Sequence, residues 1–103
     1  MHQLIAGKRE EITNLCRRFH VRSLEVFGSA ARGEDFDPAR SDVDFLVEFQ
    51  PAAQAAYADT YFGLLEELEA LLQRRVDLIR PSAIRNPFFK ASVEETRESV
   101  YEA

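Results

Sequence analysis

Five residues carry the chemistry open to this sequence: Gly28, Ser29, Asp42, Asp44 and Asp77. Asp42 and Asp44 open the stretch DVDFLVEF, which alternates like a strand. Side chains two apart on a strand share a face, so these carboxylates have Cβ atoms roughly 6.5 Å apart and can grip one or two hard cations. Gly28-Ser29 ends an earlier apolar run and opens a short helical segment. A glycine there lets the backbone turn tightly, and the first amides of a helix beside a serine hydroxyl suit a phosphate. Asp77 stands in VDLIR, where burying a carboxylate is costly unless it is paired or bound to metal. If its strand neighbours that of Asp42 and Asp44, three carboxylates meet at one end of a sheet. An all-oxygen set selects Mg²⁺ or Mn²⁺ over zinc. A phosphate cradle followed by such a set is the chemistry of a nucleoside triphosphate. In a two-metal reaction Asp42 and Asp44 position the ions, and Asp77 serves the ion that activates the nucleophile and helps take its proton. Arg32 is a candidate phosphate contact, or an ion-pair partner for the acidic residues in 34–37, and Lys8 is a remoter triphosphate candidate.

Those residues need a short sheet to hold them. Apolar residues at helical spacing predict a first helix over 4–19, and alternation predicts strands over 21–27 and 43–49. Residues 29–33 read as a short helical turn and 34–40 as a polar connection. Phe45, Leu46 and Val47 are apolar on both faces, which makes 43–49 a central strand that is wet only at its start. A long amphipathic helix follows over 52–75. Gly63 within it costs about 1 kcal/mol of helix propensity, so it marks a close approach to a neighbouring element. A third strand occupies 76–80, and Asn86-Pro87 has the N-cap and first-turn chemistry to start a last helix over 87–101. His20 reads as a helix-end cap and His2 as part of a frayed end. Phe88, Phe89 and Tyr101 exceed what one helical stripe needs, and read as core packing or as a surface for self-association or a partner.

The chain of 103 residues is expected to form one domain, 1–103, of α+β class: a short mixed β-sheet with helices packed against it. Hydrophobic residues make up 46% and charged residues 30%, which excludes a disordered chain. A net charge of -5 argues against a broad nucleic-acid-binding surface, because phosphate contacts need clustered Lys and Arg. There is no signal peptide and no run of 18 apolar residues, so the expectation is a cytoplasmic protein that spans no membrane. Cys16, the single cysteine, reads as a reduced, packed thiol.

GSAARG at 28–33 followed by SDVDFLV at 41–47 closely resembles the minimal nucleotidyltransferase (MNT) family, a compact branch of the DNA polymerase beta-like nucleotidyltransferase superfamily. The likeness extends to VDLI at 76–79 and to the closing SAIRNPFFKASVEETRESVYEA. It implies a minimal polymerase beta-like fold with Gly28 and Ser29 on the triphosphate, Asp42 and Asp44 on metal, and Asp77 as the third catalytic carboxylate. Members are similar to antitoxins encoded beside HEPN-domain ribonuclease toxins. The resemblance therefore implies Mg²⁺-dependent transfer of AMP from ATP to a tyrosine of such a toxin. Two alternatives stand beside it: a nucleotidyltransferase acting on a small molecule or an RNA end, and a non-catalytic antitoxin that neutralises its partner by binding. Larger nucleotidyltransferases add a helical domain over the nucleobase, and this sequence leaves no residues for one. A docked protein acceptor would supply that cover.

Overall fold

The computed structural model describes residues 1–33, 36–37, 39 and 41–103. Alternating burial along VRSLEVF and VDFLVEF produces β1 (Val21–Phe27) and β2 (Val43–Phe49), paired antiparallel with Phe27 opposite Asp44. β3 (Val76–Ile79) runs parallel to β2 with Asp77 opposite Asp44, and β4 (Glu98–Glu102) runs antiparallel to β1. The sheet order is β3-β2-β1-β4, a mixed sheet of the expected α+β class. The helices are α1 (Gln3–Ala6), α2 (Arg9–Arg18), α3 (Ser29–Arg32), α4 (Tyr57–Leu72) and α5 (Pro87–Thr96).

The two-residue period of the strands sorts their side chains into two cores. Leu24, Val26, Val43, Phe45, Val47 and Leu78 join Ile5, Ile12, Cys16, Leu64 and Leu68 of α1, α2 and α4 in the larger one. On the opposite face Phe27 and Leu46 bury against Val93 of α5, with Ile79 and Ile84 at the margin. Each apolar side chain fully buried this way contributes about 1.5–3 kcal/mol. A Cβ on Gly63 would lie 2.7 Å from the Phe19 ring, so the glycine lets α4 meet the end of α2, as its place in the helix predicts. Burial pushes the Cys16 thiol up to about 12, which keeps it protonated and inert.

Several boundaries differ from the sequence reading. The helix expected over 4–19 is two, because Gly7 closes α1 and the Lys8 carbonyl starts α2 by accepting from Ile12. His2 is ordered rather than frayed. Its Nδ1 accepts from the Leu4 amide at 3.0 Å, its own amide donates to the Ala30 carbonyl at 2.7 Å, and its ring lies 4.6 Å from that of Phe36. The segment expected as one helix over 52–75 begins as a 3₁₀ turn, Pro51–Ala56, and its α-helical part ends at Leu72. The polar connection expected over 34–40 lies largely outside the described residues.

The largest difference is at the end of the chain. The helix expected through Tyr101 stops at Thr96, and 98–102 become β4 on the free edge of β1. Val93, Thr96 and Val100 fit a helical stripe, but Val100 is buried equally well by a strand. Tertiary contacts decide: Arg97 forks onto the Glu25 carboxylate of β1 at 2.6 and 2.9 Å, and Arg9 of α2 donates to the Val100 and Ser99 carbonyls at 3.2 and 3.3 Å. Tyr101 is thus half-buried in the sheet, while Phe88 stays 85% exposed. Among the described residues no helix is long and apolar enough to cross a membrane.

Candidate active site

The register of the sheet builds the site. Phe27, Asp44 and Asp77 form one row across β1, β2 and β3, on the face that carries α5. Asp42, two residues before Asp44, lies toward the same end. α4 holds the outer strand in place: the Tyr61 hydroxyl donates to the Leu78 carbonyl, and the Glu69 carboxylate accepts from the Val76 amide at 3.1 Å. Arg74 fixes the entry to β2 by donating to the Ser41 carbonyl at 3.2 Å, with its guanidinium over the Phe36 ring.

Asp42 and Asp44 are half-buried and Asp77 is exposed, so the cost of burial expected at Asp77 falls on Asp44. Burial first, then a hydrogen bond with Asp77, then the negative charges of Asp77 and Asp42 push the Asp44 carboxyl up from its ordinary 3.8 to about 7. Asp44 is thus hydrogen-bonded to Asp77, and Asp42 acts on Asp44 through its charge. The convergence expected of all three is looser than the sequence suggests. Among the described residues no three acidic, histidine or cysteine side chains form a ready-made metal cage. Asp44 and Asp77, with Asp42 toward the same end, are the residues that could hold a hard divalent ion together with substrate phosphates and water.

Gly28 joins the carboxylates to the turn. Its φ of 72° and ψ of -148° belong to a region essentially reserved for glycine, and a Cβ there would lie 3.0 Å from Asp44 Oδ2. Its carbonyl accepts from the Ala31 and Arg32 amides at 3.1 Å and so starts α3. Its amide, expected as a phosphate donor, instead donates to Thr96 Oγ1 at 2.9 Å. The Ser29 and Ala30 amides have no acceptor within α3; Ser29, with its hydroxyl, is half-buried and Ala30 is buried. Arg32 is exposed and makes no ion pair or side-chain hydrogen bond with a described residue. Lys8 lies 3.8 Å from Glu11. Thr96 escaped the sequence reading because a threonine closing a helix carries no local mark of a partner 68 residues away.

The Asp44 shift sets a pH dependence. A folded-state value raised above the unfolded one gives stability that is complete below the unfolded value and is lost as pH rises through about 7. Without divalent cations, the melting temperature of wild type relative to Asp44→Asn should fall as pH rises between about 4 and 8. Mg²⁺ should narrow the gap at the upper end. Thermal melts of the two chains across that range, with chelator and with Mg²⁺, check this. Parallel curves would show that Asp44 titrates normally.

A family model described as a nucleotidyltransferase domain matches residues 9–100. The protein adenylyltransferase MntA of Thermococcus cleftensis is 40% identical over 92 residues, which are 89% of this chain and 84% of that protein. A Methanocaldococcus jannaschii protein, named provisionally as a protein adenylyltransferase, is 41% identical over 78 residues, 76% of this chain and 75% of its own. A solved structure described provisionally as a minimal nucleotidyltransferase superposes with a TM-score of 0.72 at 30% identity, covering 95% of both chains. The complex of a tri-AMPylated Shewanella oneidensis HEPN toxin with its MNT antitoxin gives a TM-score of 0.60 at 15% identity, over 96% of this chain and 73% of that one. At that identity the likeness is one of fold.

Proposed function

Because the chain belongs to the nucleotidyltransferase domain family, in its minimal branch, we propose that it transfers AMP from ATP to a tyrosine of a HEPN-domain ribonuclease toxin and so silences that toxin. The observation that carries this reading is the closeness of Gly28 to Asp44: a Cβ at Gly28 would lie 3.0 Å from Asp44 Oδ2. That closeness supports a reading in which a phosphate held on the 28–30 turn lies beside the carboxylates. The adenylyltransferase name of the Thermococcus relative supports a protein acceptor, and the toxin–antitoxin complex sharing the fold supports a HEPN partner.

In this reading the Ser29 hydroxyl and the Ser29 and Ala30 amides hold the β- and γ-phosphates. Asp42 and Asp44, with Asp77 beside them, would hold Mg²⁺, or Mn²⁺ in its place. When bound, the ion supplies neutralising charge to the triphosphate and favours the ionised acceptor oxygen. Asp77 is exposed on the outermost strand, where a macromolecular acceptor can reach it. Its carboxylate takes the proton of the tyrosine hydroxyl. The tyrosine oxygen bonds to the α-phosphorus, the bond from that phosphorus to the bridging oxygen breaks, and pyrophosphate leaves.

Incubating this chain with ATP, Mg²⁺ and a cognate HEPN-domain toxin should add one adenylyl mass per transfer to that partner, read by intact-mass spectrometry. A Tyr→Phe change at the modified site should abolish the gain. No gain on a folded, stably bound partner would sink the proposal and leave neutralisation by binding.

A further inference from the structure

Gly28 is constrained on three sides. Its carbonyl is fixed by the Ala31 and Arg32 amides, its Cα faces Asp44 Oδ2, and its amide is fixed by the Thr96 hydroxyl at 2.9 Å. Thr96 is the last residue of α5, and it is held in turn. Its Oγ1 is 3.2 Å from the Ser92 carbonyl and 3.4 Å from that of Val93, so the hydroxyl proton points back along the helix and a lone pair is left for Gly28. α5 is anchored over the turn by apolar contact as well. Val93 buries against Phe27, the residue before Gly28, and Phe89 meets the Phe27 ring edge-on at 5.9 Å. On the other side of Thr96, Arg97 clamps Glu25 of β1.

We infer that Thr96 is a positioning residue of the nucleotide site: by accepting from the Gly28 amide it orients the turn so that the Ser29 and Ala30 amides, rather than that of Gly28, face the phosphates. This rests on the reading of 28–30 as the phosphate contact. The argument is geometric. An amide bonded to α5 is not available to a phosphate, and rotating it free would break the Thr96 contact and disturb a backbone conformation that few φ/ψ alternatives can replace. The turn is thereby held in one orientation before ligand arrives, which lowers the ordering cost of binding.

The test uses the whole chain, Mg²⁺ and a non-hydrolysable ATP analogue, with no toxin present. Thr96→Val keeps the shape and removes the acceptor, whereas Thr96→Ser keeps the hydroxyl. Thr96→Val should weaken analogue binding by about three- to tenfold, the span of one uncharged hydrogen bond. It should also speed hydrogen exchange at the Gly28 amide, and Thr96→Ser should restore both. In wild type, analogue binding should shift the amide resonances of Ser29 and Ala30 and leave that of Gly28 protected. This arm does not depend on any variant folding. Wild-type affinity in Thr96→Val, or a Gly28 amide that moves most and loses protection on binding, would overturn the inference alone. Failure of wild type to bind the analogue would overturn the nucleotide-site reading and this inference with it.

Discussion

Replacing Asp44 with asparagine is expected to lower AMP transfer by about 100-fold or more, the scale of removing one group that stabilises transition-state charge. It should do so without unfolding the chain. Asparagine matches the protonated acid in shape and can bond Asp77, yet its neutral amide is a poor ligand for a hard cation. The native carboxyl, pushed up to about 7 chiefly by burial, is a strained choice for the cation-free fold. The variant should therefore melt no lower than wild type near about pH 8 in chelator, and Mg²⁺ should raise its melting temperature less. Activity is thus expected to fall where stability does not. Radiolabelled AMP transfer and melts on the same preparations check this. Activity within a few-fold of wild type would remove Asp44 from the reaction. A large drop in melting temperature would make it structural.

Gly28→Ala should damage both properties. The φ/ψ pair at Gly28 costs an alanine about 1–3 kcal/mol, and a domain of this size loses roughly 4–8 °C of melting temperature for each kcal/mol. The new methyl would also sit 3.0 Å from Asp44 Oδ2, so the turn or the carboxylate must move by a few tenths of an ångström. A displacement of that kind at reacting groups costs rate beyond the loss of fold. Gly33→Ala is the control. Gly33 has a φ of 76° in the ordinary left-handed helix cap, and a Cβ there would meet nothing among the described residues within 4 Å. Its expected cost is about 1 kcal/mol of stability, with the catalytic rate of the folded fraction unchanged. Equal losses of rate in the two variants would show that the Asp44 contact does not matter.

What could be read from the sequence follows from how local each signal is. Gly28-Ser29 and Asp42/Asp44 each sit within a few residues of a strand end, so alternation alone places them. Asp77 needed one assumption, that its strand lies beside β2, and the register of Asp44 with Asp77 meets it. Gly63 was legible because a glycine in a strong helix has few reasons to be there, and the Phe19 ring supplies one. β4 was not legible, because Val93, Thr96 and Val100 suit a helix and the deciding partners, Glu25 and Arg9, lie on distant elements. The same distance hid the Thr96–Gly28 bond, and with it the fact that one expected phosphate donor is engaged.

The position of β4 has a consequence for how the protein is made. β1 lies between β2 and β4, so it gains its second neighbour only after the chain has been synthesised through residue 102. The Gly28–Thr96 bond closes a loop between partners 68 residues apart. Non-local pairings of this kind are assembled late, after loop-closure entropy has been overcome. The 28–30 turn is therefore synthesised well before its partner in α5, and acquires its fixed orientation only once Thr96 has docked. Competence to hold a nucleotide should appear late in folding, in step with the docking of the last strand.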